Sequence, residues 1–353
     1  MGRSDFRPLI TPLLLVLLLS ALSTASWLFA GSALNRAVVE LLVRVVLVVS
    51  IYAFVGNSGI VSFGHVGFMA IGAYAMAWQT LPLFLKKSSM PGLPELLLNA
   101  SVPFPIALLF SAILAAFVAA AIGTVILRLP AIAASISTFA FLMIVHSVYS
   151  NWEGVTGGTS SVVGIPTKVN LWVALAGAAA CIVVTGFYQT TRYGLALKCS
   201  REEEIAARAA GINIFKQRLL AFILSGFLMG LGGALYAGFL GAIYIDAFYL
   251  SQTTMLLAML VVGGMSSLTG AVGGAVVISL LTYLLRGLER GIHVGPQTIA
   301  LPSGTQEVVL GIVMIIALIS FRSGIFGTRE IAQWIPRVRT ELVSKAHYQP
   351  TND

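Results

Sequence analysis

Apolar residues in this chain come in long unbroken runs, not in the alternation of a half-buried strand or the spacing of an amphipathic helix. The runs lie at roughly 8–30, 37–55, 59–79, 103–127, 130–149, 169–190, 217–240, 253–269, 271–286 and 305–321. Each is close to the ~20 residues that an α-helix needs to cross the hydrocarbon core of a bilayer. The pattern predicts an all-α, polytopic membrane protein of about ten spans, a single domain over 1–353. Two connections stand out. Gly56-Asn57-Ser58-Gly59 is very short, so it is either a tight turn or a break inside one helix, and GGMSSLTGAVGG at 263–274 is similarly rich in glycine. A break at membrane depth must face protein or a water-filled cavity, because lipid cannot satisfy freed backbone groups. A half-helix beginning near Ser58 would aim its positive end at the first break.

Composition agrees and removes other classes. Of 353 residues, 58% are AVILMFWYC and only 10% are charged, against about 45–50% and roughly 25% in soluble domains. Soluble enzyme, nucleic-acid binder and disordered scaffold are excluded. The net charge of +8 is clustered. Arg3 and Arg7 form one cluster; Arg192, Lys198, Arg201, Arg208, Lys216 and Arg218 a second; Arg322, Arg329, Arg337, Arg339 and Lys345 a third. An even span count puts all three in the cytoplasm with both termini, leaving Lys86, Lys87, Lys168 and Arg290 outside. Within the first run, Leu9–Leu19 also reads as the apolar core of a signal peptide, with Arg3 and Arg7 before it and Ser23-Thr24-Ala25 after it. Removing it would not reorient the rest, and the retained helix is taken here.

Few groups in the spans can titrate. Glu40 and Arg44 are four apart and suit an intrahelical pair, His65 and His146 suit either substrate contact or packing, and Glu307 sits near a span end. A proton relay has little to work with. Cys181 and Cys199 occupy unlike surroundings and suggest neither a disulfide nor a metal site. The chain has no HExxH, GxSxG or TVGYG, so it offers no enzyme centre or potassium filter, and no cofactor is expected. It also lacks GxxxxGK[ST]; ATP, if used, would bind another subunit.

The most informative stretch is RYGLALKCSREEEIAARAAGINIFKQRLLAF at 192–222. Ser200 and Glu203 have capping-box spacing, and Glu202, Glu203 and Glu204 suit a helix N-terminus. A short helix over 201–210 is expected, stopped at Gly211, with Asn213 capping the next. The run from Glu204 through Ala206, Ala207, Arg208, Ala209 and Ala210 to Gly211 resembles the EAA loop of ABC importer permeases, the element that inserts into a groove of the ATPase. The resemblance makes Glu203, Glu204, Ala206, Ala207, Arg208 and Gly211 the candidate coupling residues, and 191–216 a cytoplasmic coupling loop.

Three further segments narrow it. Gly59 through Ser62, Gly64 and His65 to Phe68, continuing to Gly72 and Tyr74, is similar to a block of LivM-type permeases of branched-chain amino-acid ABC importers. Thr156-Gly157-Gly158-Thr159 through Gly164-Ile165-Pro166 resembles their extracellular TGG…GIP loop, and Gly263-Gly264 through Gly274 their glycine-rich penultimate segment. Ser160-Ser161-Val162-Val163 and Ala271 depart from the family pattern, and the tail 322–353 is of no recognised type. The resemblance implies a bacterial inner-membrane importer subunit that is not itself an enzyme. Its partners would be a homologous LivH-like permease, two ATPases and an extracytoplasmic substrate-binding protein, without nucleic acid. Asn57, Ser58, Ser62, His65, Thr156, Gly157, Gly158 and Thr159 are the candidate path residues, although packing roles also fit them. The solute would be a branched-chain amino acid or similar small polar molecule. Urea, another amide or a ribose-type sugar are the alternatives, followed by an ion-driven carrier or channel that would leave the EAA-like loop unexplained.

Overall fold

A computed structural model describes residues 7–29, 31–99, 101–289, 292–294, 297–299, 302, 304–320, 324–327 and 330–331. Arg3, Arg290, Arg322, Arg329, Arg337, Arg339 and Lys345, and with them most of the tail 322–353, lie outside the described residues.

All ten apolar runs carry helix. The elements are α1 (Arg7–Phe29), α2 (Ser32–Ser58), α3 (His65–Thr80), α4 (Leu83–Ser89), α5 (Glu95–Leu98), α6 (Phe104–Ile126), α7 (Ala131–Asn151), α8 (Glu153–Thr156), α9 (Leu171–Thr190), α10 (Arg192–Glu202), α11 (Glu204–Ala209), α12 (Ile214–Leu240), α13 (Leu250–Gly263), α14 (Leu268–Glu289) and α15 (Thr305–Ser320). The only strands among the described residues are two short antiparallel pairs: β1 (Val162–Val163) with β2 (Ala242–Ile243), and β3 (Ile292–Val294) with β4 (Gln297–Ile299). Eight helical segments are long and apolar enough to cross a membrane, one of them being α13 together with the 3-10 turn before it. At 16 residues, α3 is shorter than a full crossing, and 16 residues of α15 are described.

α2 is the central post, with 94% of its most apolar window buried. It is apolar on every side, as a helix surrounded by protein must be. Its Glu40 and Arg44 form the expected intrahelical pair, and Arg286 of α14 also reaches Glu40 at 3.1 Å. α6 presents a fourfold-spaced stripe of Ala107, Ser111, Ala115, Ala119 and Gly123, all buried. That stripe lets α12 approach closely: a Cβ at Gly230 would lie 2.4 Å from the Ala115 Cβ, and one at Gly226 2.5 Å from that of Ala119. Small residues let membrane helices touch backbone to backbone, where dispersion and not water release holds them. α1 seats Pro12 against Gly186 of α9, and Trp27 meets Trp172 with ring centroids 6.4 Å apart.

Both glycine-rich connections are breaks. α2 runs through Asn57 to Ser58 and stops because Gly59 turns left-handed (φ 73°), returning its N–H to the Val55 carbonyl. Residues 59–64 are irregular and α3 starts at His65. The expected half-helix beginning at Ser58 is therefore corrected: a helix ends there. The second break follows Gly263, with Gly264 at φ 124° and α14 resuming at Leu268.

Candidate functional site

The EAA-like segment is two helices, not one. Thr191 caps α10 by accepting the Gly194 N–H at 3.2 Å, and α10 runs through Ser200 to Glu202. The Ser200–Glu203 capping box is thus corrected: the Ser200 hydroxyl donates to the Leu197 carbonyl inside α10, and Glu203 is the extended residue that opens α11. The stop at Gly211 forms as the sequence suggests. Gly211 adopts φ 80°, its N–H donates to the Arg208 carbonyl, and the Ile212 N–H donates to the Ala207 carbonyl, the pairing of a Schellman cap. Asn213 then caps α12 through the Lys216 N–H.

α11 is tied down at one point. Glu204 accepts from Arg208 at 2.6 Å and from Arg218 of α12 at 2.9 Å. These hydrogen bonds, that of Arg208 first, hold the Glu204 carboxyl below the usual carboxylate range. Ala207 packs inward, while Glu203, Ala206, Ala209 and Ala210 face out beside Ile205, which is 79% exposed. An apolar side chain that open to water on a basic loop has no internal reason to be there. The sequence reading passed over it, though one isoleucine between glutamate and alanine was the available signal.

The first break sits in the core. Asn57, Ser58, Ser62 and His65 are all buried. His65 bridges Ser62 through Nδ1 (2.7 Å) and Ser225 of α12 through Nε2 (2.6 Å). The Ser225 hydroxyl spends its proton on the Ser50 carbonyl of α2. A neutral His65 must therefore donate from Nε2 and accept from Ser62 at Nδ1. Rings of Phe54, Phe68 and Phe222 surround it. The Phe63 N–H donates to Thr138 of α7, and Asn57 Oδ1 is a buried acceptor without a partner.

Arg201, at the end of α10, connects this break to the other. Its Nη1 donates to the Gly56 carbonyl at 2.6 Å and its Nη2 to the Ser266 hydroxyl at 3.1 Å. It thus places a cation at the negative end of α2. The second break is also held from the C-terminal side. Glu330 accepts the Leu268 and Thr269 N–H groups and the Thr269 hydroxyl, capping α14, while Ser267 donates to the Gly327 carbonyl. The Ile325 and Phe326 N–H groups return to the carbonyls of Val262 and Gly263. Nothing local in the sequence announces these pairings.

Thr156, Gly157, Gly158 and Thr159 lie elsewhere. Trp78 near the end of α3 donates to the Val155 carbonyl, thirteen residues and about 20 Å of helix beyond His65. Thr156 is buried and donates to the Tyr149 and Trp152 carbonyls, while Gly157 and Gly158 both turn left-handed and Thr159 is exposed. The GIP stretch follows through β1, and the N–H groups of Gly164 and Ile165 meet the Gly241 carbonyl. At the same end His146 of α7 pairs with the exposed Asp246 at 2.9 Å and stacks on Tyr249. The two groups of candidate path residues are therefore not one site but opposite ends of α3.

Residues 33–318 match the family model described as a branched-chain amino acid transport system permease component. The high-affinity branched-chain amino acid transport system permease protein LivM of Salmonella typhimurium is 26% identical over 289 residues, covering 69% of this chain and 62% of that protein. This chain thus spans less than two thirds of that relative's length. The probable branched-chain amino acid transport permease protein LivH of Methanocaldococcus jannaschii is 36% identical over 99 residues, 27% of this chain and 31% of its own. The xylose transport system permease protein XylH of Escherichia coli is 26% identical over 157 residues, 44% of this chain and 37% of its own. No solved structure matches.

Proposed function

The chain belongs to the family of branched-chain amino acid transport system permease components, and on that premise we propose that it is a translocating subunit of an ATP-driven importer for branched-chain amino acids or similar small polar solutes. A homologous permease, two ATPases and an extracytoplasmic binding protein complete the machine. The α10–α11 end and both termini face the cytoplasm, and the membrane is the bacterial inner membrane. The observation that carries the reading is α11 itself. It is a short helix stopped at both ends, which exposes Ile205, Ala206 and Ala209 while its root reaches both breaks through Arg201.

Coupling runs as follows. The ATPase grips Glu203, Ala206, Arg208 and Gly211, with Ile205 as the knob, while Glu204 and the inward-facing Ala207 hold α11 to the bundle. Motion of α11 passes through α10 to Arg201 and from there to the ends of α2 and α13. Asn57, Ser58, Ser62 and His65 seal the cytoplasmic end of the path. Thr156, Gly157, Gly158 and Thr159, with His146 and Asp246, form its outer end. The chain supplies no ATP site and no reaction of its own.

The test is direct. The tagged chain purified from native membranes carries an ATPase with it, and vesicles holding the complex take up leucine when ATP is inside, whether or not an uncoupler is present. Uptake that an uncoupler stops at constant ATP contradicts the reading, and competition by xylose but not by isoleucine replaces the solute class.

A further inference from the structure

A cavity of about 450 Å³ opens at the α10–α11 end, with the coupling segment as one of its walls. Its walls are the turn between α6 and α7 (Arg128, Leu129, Pro130), the first turn of α12 with Arg218, and Glu204 and Arg208 of α11. Three arginines thus face one carboxylate, which Arg208 and Arg218 already share. Arg128 is exposed and lies over the Phe215 ring, 5.6 Å from its centroid. α7 begins at this wall with no side chain capping it, so its first N–H groups and its positive dipole end have no side-chain acceptor. One observation leaves a cation without a counter-charge. Arg208 and Arg218 take the two Glu204 oxygens, while Arg128, on the same cavity wall, rests on the Phe215 ring with no carboxylate partner among the described residues.

The surroundings identify the anion's source. Val125, Ile132 and Ile136, just beyond the cavity on α6 and α7, are 69%, 78% and 64% exposed, the surface of helices that face acyl chains. The cavity therefore lies where the apolar belt meets the basic loop, at headgroup level. We propose that it binds the phosphate of an anionic phospholipid from the adjoining leaflet, with acyl chains along Ile132 and Ile136. Arg128 and Arg218 with the α7 N-terminus hold the phosphate oxygens, a charge-assisted set that tolerates little else in a half-buried place. Only the name of the leaflet, cytoplasmic, rests on the proposed function.

The experiment needs neither ATPase nor uptake, so its failure and that of the transport reading are separable. The full-length chain in neutral detergent is titrated with dioctanoyl phosphatidylglycerol, and its thermal midpoint is followed by tryptophan fluorescence. The midpoint rises saturably with this lipid, and less with dioctanoyl phosphatidylcholine, whose choline the arginines repel. Arg128→Gln, at an exposed position that leaves the fold intact, raises the half-saturating concentration about tenfold, and Arg128→Lys recovers part of it. Equal stabilisation by both lipids, or an unchanged titration in Arg128→Gln, overturns the proposal. An equal shift from inorganic phosphate alone makes this a free-anion site and overturns the lipid. If Arg128→Gln sheds the ATPase while wild type shows no lipid preference, the cavity belongs to a protein partner and the proposal fails.

Discussion

The two breaks, 59–64 after α2 and 264–267 after α13, begin alike and are held differently. Each opens on a glycine with positive φ, and the Arg201 guanidinium serves both, bonding the Gly56 carbonyl in the last turn of α2 and the Ser266 hydroxyl inside the second break. The first is braced from within the bundle: Ser62 and His65 against Ser225, and Phe63 against Thr138. It cannot rearrange without disturbing α7 and α12. The second is braced by a strap of chain some sixty residues later, through Glu330 on the α14 N-terminus and Ser267 on Gly327. That strap can be lifted with the helices still packed. A break locked into a core behaves as a fixed post, and one closed by a peripheral strap behaves as a joint. Motion arriving through Arg201 should therefore be taken up mainly at 264–267.

The largest expected effect comes from unlocking the post. His65→Leu leaves the Ser62 hydroxyl unpaired among aromatic rings and cuts the link from the break to Ser225, which keeps its bond to the Ser50 carbonyl, a loss of about 2–5 kcal/mol. The yield of monodisperse protein and its thermal midpoint should both fall sharply, and a normal midpoint would show that the post is not held this way. Gly324→Val comes next, since Gly324 has φ 80° and a Cβ there would lie 2.4 Å from the Gly264 Cα. The strain, about 1–3 kcal/mol, should lift the strap and speed hydrogen exchange at Leu268 and Thr269, with exchange in α3 unchanged. Glu330→Gln removes only the charge of the cap, about 1 kcal/mol, and the same amides should exchange faster by a smaller factor. Equal acceleration at both breaks would erase the distinction between them.

The smallest effect is on pH. Hydrogen bonds from Arg208, then Arg218, lower the Glu204 carboxyl in the folded chain. Its contribution is therefore complete above the unfolded carboxylate value and is lost only as pH falls through the lower folded one. A spin label at residue 207 should keep its mobility from about pH 5 upward and loosen only in stronger acid, with neither break affected. Loosening between pH 8 and 6 would mean that something other than Glu204 holds α11.

How much of this the sequence carried depended on distance along the chain. The spans were legible because apolar run length alone decides them, and eight of the segments are long and apolar enough to cross. The Gly211 stop and the Asn213 cap were legible because caps are local. The capping box at Ser200 misled for the same reason. Thr191, nine residues earlier, had already started a helix, and a serine inside a helix turns its hydroxyl back to a carbonyl. Arg201 and Gly56 are 145 residues apart, His65 and Ser225 are 160, and Glu330 and Thr269 are 61. Such pairs have no local signature. Arg201 therefore read as one basic residue among several, and the tail as a basic segment of no recognised type.

The central claim is that α10 and α11 act on both breaks through Arg201, and uncoupling tests it most directly. In the proposed importer, reconstituted with the ATPases and binding protein that the proposal requires, ATP hydrolysed per solute imported is measured for Arg201→Met, which keeps the length and apolar body of the side chain and removes the fork. The account predicts that hydrolysis continues while uptake falls about tenfold or more. Uptake at the wild-type rate with unchanged stoichiometry would contradict it.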